Sequence, residues 1–182
     1  MTNNKAINIV AISGSLKSSS ANTNILRTIS NIAPENVTIN LFEGLDLLPH
    51  FNPETEAEIS SVINFRQLIK EANGVIFSTP EYAFGIPGVL KNALDWLVFS
   101  GELNEKPVVA ISSSPLYSGG DKALGSLLLI LTALGTDMDA DSSCNIANIK
   151  NKMTVSGEIT DNETKEALKF LLDNLINRIL IS

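Results

Sequence analysis

Apolar residues fall in short runs separated by longer stretches of helical period, and the alternation continues along the whole chain. The run 7–12 predicts a buried strand, followed by a Ser/Gly loop and a helix over about 21–32. Val37–Phe42 alternates apolar and polar residues and predicts a second strand. The stretch 54–72 sets Ile59, Val62, Ile63 and Ile69 on one side of a helix, with Asn73-Gly74 placed to cap its end. A third strand is expected over 75–79 and a loop over 80–86. Pro87 then stands in the first turn of a helix that carries Leu90, Leu94, Leu97 and Val98. A fourth strand over 108–111 leads through a Gly-containing loop to a helix over about 120–134. A weaker fifth strand falls around Met138. The chain closes over 161–181 as an amphipathic helix with Leu168, Leu171, Leu172, Leu175 and Ile179 toward the core.

Strand–helix alternation of this kind predicts an α/β fold, a parallel sheet covered by helices on both faces. Five strands fit the doubly wound order 2-1-3-4-5, which binds its ligand beyond the carboxyl ends of the strands, near the switch point. There is no internal repeat and no Pro/Gly-rich linker, so residues 1–182 are expected to form one domain.

Composition narrows the function classes. A hydrophobic fraction of 44% with 18% charged residues belongs to a globular chain. No stretch has the length of a transmembrane helix, and MTNNK leads straight into the first apolar run without a signal-like pattern; a cytoplasmic protein with no membrane partner is expected. Thirteen basic residues against 20 acidic ones give a net charge of −7, which argues against a nucleic-acid partner. A small anionic ligand is still compatible, because local backbone donors outweigh a mildly acidic average. Cys144 is the only cysteine, so no intrachain disulfide forms; with one histidine, His50, it makes no usual zinc site.

Three loops follow strands at the same sheet edge. The first reads Ser13-Gly14-Ser15-Leu16-Lys17-Ser18-Ser19-Ser20-Ala21-Asn22-Thr23 and opens the first helix. A phosphate there meets backbone N–H groups, the positive end of the helix dipole, several hydroxyls and the charge of Lys17. By its own composition the loop fits a Ser-capped surface turn equally well. It has neither the spacing of a nucleotide P-loop nor that of a dinucleotide fold. The second loop holds Pro80, Glu81, Tyr82, Ala83 and Phe84, whose aromatic rings offer walls for a flat ring system. The third runs from Ser112 to Gly120 and offers hydroxyls and glycines.

At this point the residues resemble the NAD(P)H-dependent FMN reductases, a flavodoxin-like family that includes quinone, azo-dye and chromate reductases. The family opening G-S-L-R-x-x-S-x-N stands here as Gly14-Ser15-Leu16-Lys17-Ser18-Ser19-Ser20-Ala21-Asn22. The longer pattern P-E-Y-x-x-x-x-P-G-x-L-K-N-A-[IL]-D-W is complete from Pro80 to Trp96. The resemblance implies that Ser15, Lys17, Ser20, Asn22 and Thr23 hold the FMN phosphate, in a loop that starts at Ser13 and includes Leu16. Pro80, Glu81, Tyr82, Ala83 and Phe84 would line the isoalloxazine, with Ser114 and Gly119 at its other edge. Lys17 departs from a more usual Arg, exchanging a bidentate fork for a point charge. Ala83 stands where Asn is frequent and Leu116 where Gly is, while Lys122 matches a common Arg.

The expected activity is transfer of hydride from NADPH or NADH to bound FMN, and on to a quinone, flavin, azo compound or similar small acceptor. No protein acid, base, nucleophile or metal is required; a loop carboxylate such as Glu81 is ordinarily solvated or bonded to backbone. A flavodoxin-like electron carrier without nicotinamide oxidation is the alternative. The run Leu127-Leu128-Leu129-Ile130-Leu131 is apolar all round, which points to a second copy of the chain and hence a homodimer or homotetramer.

Overall fold

The computed structural model describes residues 5–54 and 59–182. Strands β1 (Ile7–Ser13), β2 (Val37–Phe42), β3 (Gly74–Thr79), β4 (Val108–Ser113) and β5 (Ser143–Ile146) form one parallel sheet in the order β2-β1-β3-β4-β5. Helices α1 (Ala21–Asn31), α2 (Ser60–Glu71), α3 (Gly88–Asp95), α4 (Asp121–Ala133) and α5 (Asn162–Ile181) connect and cover it. β3 and β4 are buried at every residue, as a central strand with helices on both faces must be.

Two apolar layers result, one on each face, divided by the period of two along each strand. Val75 and Phe77 of β3 pack with Val62, Phe65, Ile69, Leu90, Leu94, Leu127 and Leu131 from α2, α3 and α4. Ile76 between them faces the other way, into Ile25, Leu26 and Ile29 of α1 and Leu168, Leu172 and Leu175 of α5. α1 lies against β1, β2, β3 and β4, which brings its first turn to the middle of the sheet's carboxyl edge.

Several details differ from the sequence reading, each for a local reason. The fifth strand is Ser143–Ile146, not the segment around Met138. Asp137 makes only an isolated bridge to Pro107 before the 139–142 turn, held by Ser142 Oγ and Asp139, re-aims the chain. α2 begins at Ser60; residues 55–58 of the expected helix lie outside the described residues. Asn73-Gly74 does not cap it. The Lys106 ammonium does, donating to the carbonyls of Ala72 at 2.5 Å and Lys70 at 3.3 Å. Gly74 instead opens β3, where a Cβ would come within 2.8 Å of Ile179 Cδ1. Pro87 is the residue before α3 rather than in its first turn, and α3 ends before Leu97 and Val98; Val98 and Ile63 are exposed. In the all-apolar stretch of α4 only Leu127 and Leu131 are fully buried, while Leu129 is 75% exposed.

The loop after β3 is pinched into a two-residue turn: Tyr82 and Gly85 exchange both backbone hydrogen bonds at 3.0 Å. The central residues Ala83 and Phe84 sit at φ 50° and 61°. That is the twin left-handed turn Asn-Gly fills without penalty, and an L side chain with a Cβ strains it. Replacing Ala83-Phe84 by Asn-Gly is expected to stabilise the fold by about 1 kcal/mol, read as a melting temperature higher by about 2–4 °C.

Beyond β4, the C-terminal helix is tied to the approach to β5 by Arg178, which donates to Asp139 at 2.7 Å and also bonds Asp137. Hydrogen bonds from Ser142 and Asn174, with Arg178 alongside, hold the Asp139 carboxyl down at about 2. A carboxyl depressed in the folded state contributes its stability in full above the unfolded value, about 3.9, and loses it as pH falls toward the folded one. Asp139→Asn is therefore expected to lower the denaturation midpoint at pH 6. The difference from the unaltered chain should shrink between pH 4 and pH 2 in acid titrations followed by circular dichroism.

Candidate functional site

At the carboxyl edge of the sheet the strands end in hydroxyls, and these hydroxyls organise the first loop. Ser13 Oγ accepts from Thr23 Oγ1 at 2.9 Å and from the Ser15 amide at 3.3 Å. Asn22, 3% exposed, turns its side-chain oxygen into the sheet, where it accepts from Ser78 Oγ at 2.9 Å and Ser113 Oγ at 3.0 Å. Ser20 is the N-cap of α1, its Oγ accepting from the Asn22 amide at 3.2 Å and its carbonyl from the Asn24 amide. Ser13, Ser20, Asn22 and Thr23 are thus committed inward and fix the loop's two ends.

Between those ends the loop turns outward. Ser15 Oγ accepts from the Lys17 amide at 3.3 Å, and Leu16, Lys17, Ser18 and Ser19 are exposed. No described residue accepts from the first-turn amides of Ala21 or Thr23. Open N–H groups at a helix start, serine hydroxyls and an ammonium are the donor set an anion needs. Gly14 packs closely beneath them: a Cβ there would lie 3.0 Å from both Leu90 Cδ2 and Thr79 Oγ1.

Two recesses flank this loop. One, about 340 Å³, is lined by Gly14, Ser15, Leu16, Lys17, Tyr82, Pro87, Gly88 and Val89, so the first loop and Tyr82 of the second share a wall. The other, about 280 Å³, lies between the first loop and the segment after β2, with Lys17, Ser18 and Arg27 on one side and Glu43, Gly44 and Asp46 opposite. Arg27, Glu43 and Asp46 were not singled out in the sequence. Their only signal was position, one turn into α1 and directly after β2.

The second loop is bound to α4 by Glu81. Gly120 precedes α4 in the left-handed region and has no side chain to cap it. The Glu81 carboxylate takes over, accepting from the amides of Lys122 and Ala123 at 3.0 Å each. Backbone bonding is the ordinary role expected of that acid. Phe84 at the turn tip is 80% exposed and Tyr82 stands beside it, also exposed.

The third loop is tied to β5 and the segment after it. Ser114 Oγ accepts from the Leu116 amide, its own amide donates to Ile146, and its carbonyl accepts from Ile149. Gly119, at φ 64°, passes its carbonyl to Ser112 Oγ at 2.9 Å. Leu116 and Tyr117 are left exposed. Exposed apolar and aromatic side chains thus stand on all three loops: Leu16, Tyr82, Phe84, Leu116 and Tyr117. His50 is exposed and lies apart from these loops, on the segment before α2. Burial pushes the Cys144 thiol up to about 11, so it stays protonated. Among the described residues no group of three or more His, Cys, Asp or Glu is placed to hold a metal ion.

Comparison with known proteins places this arrangement. The chain is 31% identical over 181 residues to the NADPH:quinone oxidoreductase of Arabidopsis thaliana, covering 93% of this chain and 90% of that one. It is 31% identical over 168 residues to the quinone reductase of Escherichia coli K12, covering 89% of each. Its fold superposes on FerB, the flavoenzyme NAD(P)H:(acceptor) oxidoreductase of Paracoccus denitrificans, with a TM-score of 0.83, 26% identity and coverage of 96% and 98%. Residues 7–147 match the family described as NADPH-dependent FMN reductase. With its flavodoxin-like sheet order and this match, the chain belongs to the NADPH-dependent FMN reductase family and is an oxidoreductase that works with FMN and a reduced nicotinamide nucleotide.

Proposed function

We propose that the protein passes electrons from NADPH or NADH, through FMN seated on the first three loops, to a quinone or a similar small acceptor such as a flavin or azo compound. The observation that carries this reading is the shared recess. Ser15, Leu16 and Lys17, which offer phosphate-binding chemistry, line one cavity with Tyr82, which offers an aromatic wall. FMN, when bound, supplies the redox chemistry, accepting a hydride from the nicotinamide and giving two electrons to the acceptor.

The chain's own residues then have limited tasks. Ser15, Lys17 and the open amides of α1 bind the phosphate, and Ser13, Ser20, Asn22 and Thr23 hold that loop in shape. Pro80, Glu81, Tyr82, Ala83 and Phe84 wall the ring, with Leu16 beside them and Ser114 and Gly119 at the other edge. The exposed apolar rim leaves one ring face open to a flat donor and then a flat acceptor in turn, which makes ping-pong kinetics the expected form. No side chain serves as acid, base or nucleophile. The whole chain acts as one domain in the cytoplasm. The exposed Leu129 face of α4 fits a homodimer or homotetramer. Among the described residues no helix is long and apolar enough to cross a membrane.

Anaerobic NADPH or NADH is expected to bleach the flavin absorbance of the holoprotein, and a benzoquinone to restore it; absence of bleaching with both would refute the reading. Lys17→Ala is expected to raise the FMN dissociation constant about tenfold in a fluorescence titration, the loss of one charge-assisted bond, without lowering the melting temperature. Glu81 separates a positioning role from proton transfer. Glu81→Gln keeps an oxygen for both α4 amides and is expected to reduce flavin at the unaltered rate. Glu81→Ala is expected to cost about 1 kcal/mol of stability. A Gln variant slowed as much as the Ala variant would identify the carboxyl as an acid.

A further inference from the structure

We infer that Arg27 is a second cation of the phosphate site, acting with Lys17 on a sugar phosphate held between the first loop and the segment after β2. The inference rests on the flavin-reductase reading and concerns a recess that reading leaves unassigned. Arg27 lies on the second turn of α1, but its Nη1 donates to Asn24 Oδ1 at 2.9 Å, which turns the guanidinium back toward the helix start. There it lines the 280 Å³ recess together with Ser15, Lys17 and Ser18.

Three observations point to a ligand. Among the described residues neither Lys17 nor Arg27 forms an ion pair, and both line the same recess. In a chain of net charge −7, two unpaired cations facing one recess mark a place for an anion. A volume of about 280 Å³ is too small for a whole flavin nucleotide and suits its sugar-phosphate part. The opposite wall carries Glu43 and Asp46, which would repel a bare phosphate but accept hydrogen bonds from sugar hydroxyls. A carboxylate just after the second strand reads ribose hydroxyls in dinucleotide folds for the same reason. Cations for the phosphate and acids for the hydroxyls together describe a phosphorylated polyol. A guanidinium also restores the bidentate fork that Lys17 does not provide.

Two phosphate monoesters of this chemistry meet the enzyme: the ribityl phosphate of FMN and the 2′-phosphoribose of NADPH. Arg27→Gln in the full chain separates them, with Arg27→Lys as a charge-retaining control and melting temperature as the check on folding. Flavin-free protein is titrated with FMN and with riboflavin, and the reconstituted enzyme is assayed with NADPH and with NADH. The expected result is a change of about tenfold, partly recovered by Lys, in one of two constants. A weaker FMN complex with riboflavin unaffected supports the inference and assigns the flavin phosphate. Unchanged FMN binding with a raised KM for NADPH but not NADH supports it and assigns the donor's 2′-phosphate. FMN affinity and NADPH KM both within about twofold of the unaltered protein would overturn it. If the unaltered holoprotein oxidises neither nucleotide, the reductase reading fails, while the FMN titration still decides Arg27.

Discussion

The site depends on a single buried oxygen. Asn22 Oδ1 accepts two hydroxyl hydrogens, from Ser78 at the end of β3 and Ser113 at the end of β4, and so fixes the first turn of α1 to the middle of the sheet. Each such bond is worth only about 0.5–1.5 kcal/mol net, but leaving one of these buried groups unsatisfied costs about 1–3 kcal/mol. The arrangement therefore holds by what its loss would cost. It explains why β3 and β4, apolar through most of their length, carry Ser78 and Ser113 at their carboxyl ends. With α1 held this way, and Ser13 bonded to Thr23, the loop between can remain irregular and keep its donors outward.

A second constraint couples the other two loops. A left-handed glycine begins α4 and cannot cap it, so the cap comes from Glu81, forty residues earlier in the chain and one strand away. The same loop then closes into the Tyr82–Gly85 turn with two L residues at positive φ. Strain of this kind persists only where the surroundings over-determine the conformation, here the Glu81 anchor on one side and Pro87 at the start of α3 on the other. The result is a stiff base that pushes an exposed phenylalanine outward beside the recess, an arrangement a merely packed loop would not adopt.

Much of this was legible in the sequence, and the boundary of legibility has physical causes. Buried parallel strands and amphipathic helices write themselves as period, which is why β1 to β4, α1, α4 and α5 stand within a few residues of their expected places. β5 does not: Ser143-Cys144-Asn145-Ile146 is a four-residue edge strand, half polar and paired with β4 alone, and Met138 nearby gives the stronger apolar signal. The Asn73-Gly74 cap misled because a cap can be supplied from elsewhere, here by Lys106. The site loops were found by their position after strands and by the Pro80–Trp96 pattern. The inward roles of Ser13, Ser20, Asn22 and Thr23 were not, since a hydroxyl's partner is set by neighbours distant in sequence. Arg27 was missed because an exposed arginine on a helix has no local signature; only the fold sets it beside Lys17.

That division has a functional meaning. Chemistry carried by a cofactor asks the protein for placement, and placement here is achieved by groups that do not touch a ligand. The inner part, sheet edge and α1, relies on buried hydroxyl–amide bonds whose geometry tolerates little change. The outer part consists of exposed side chains, Leu16, Lys17, Phe84, Leu116 and Tyr117, each replaceable without disturbing a hydrogen bond of the core. Under the proposed function, cofactor retention and acceptor choice fall to different sets of residues. On the proposed reading, substitutions in the first set would act through α1 and the phosphate, and those in the second on what can lie flat against the ring. Lys17 stands at the junction, its amide bound to the inner framework through Ser15 and the residue lining both recesses. Under the proposed function, the exchange of a guanidinium for an ammonium at that residue would alter the grip on phosphate while the scaffold beneath it stays the same.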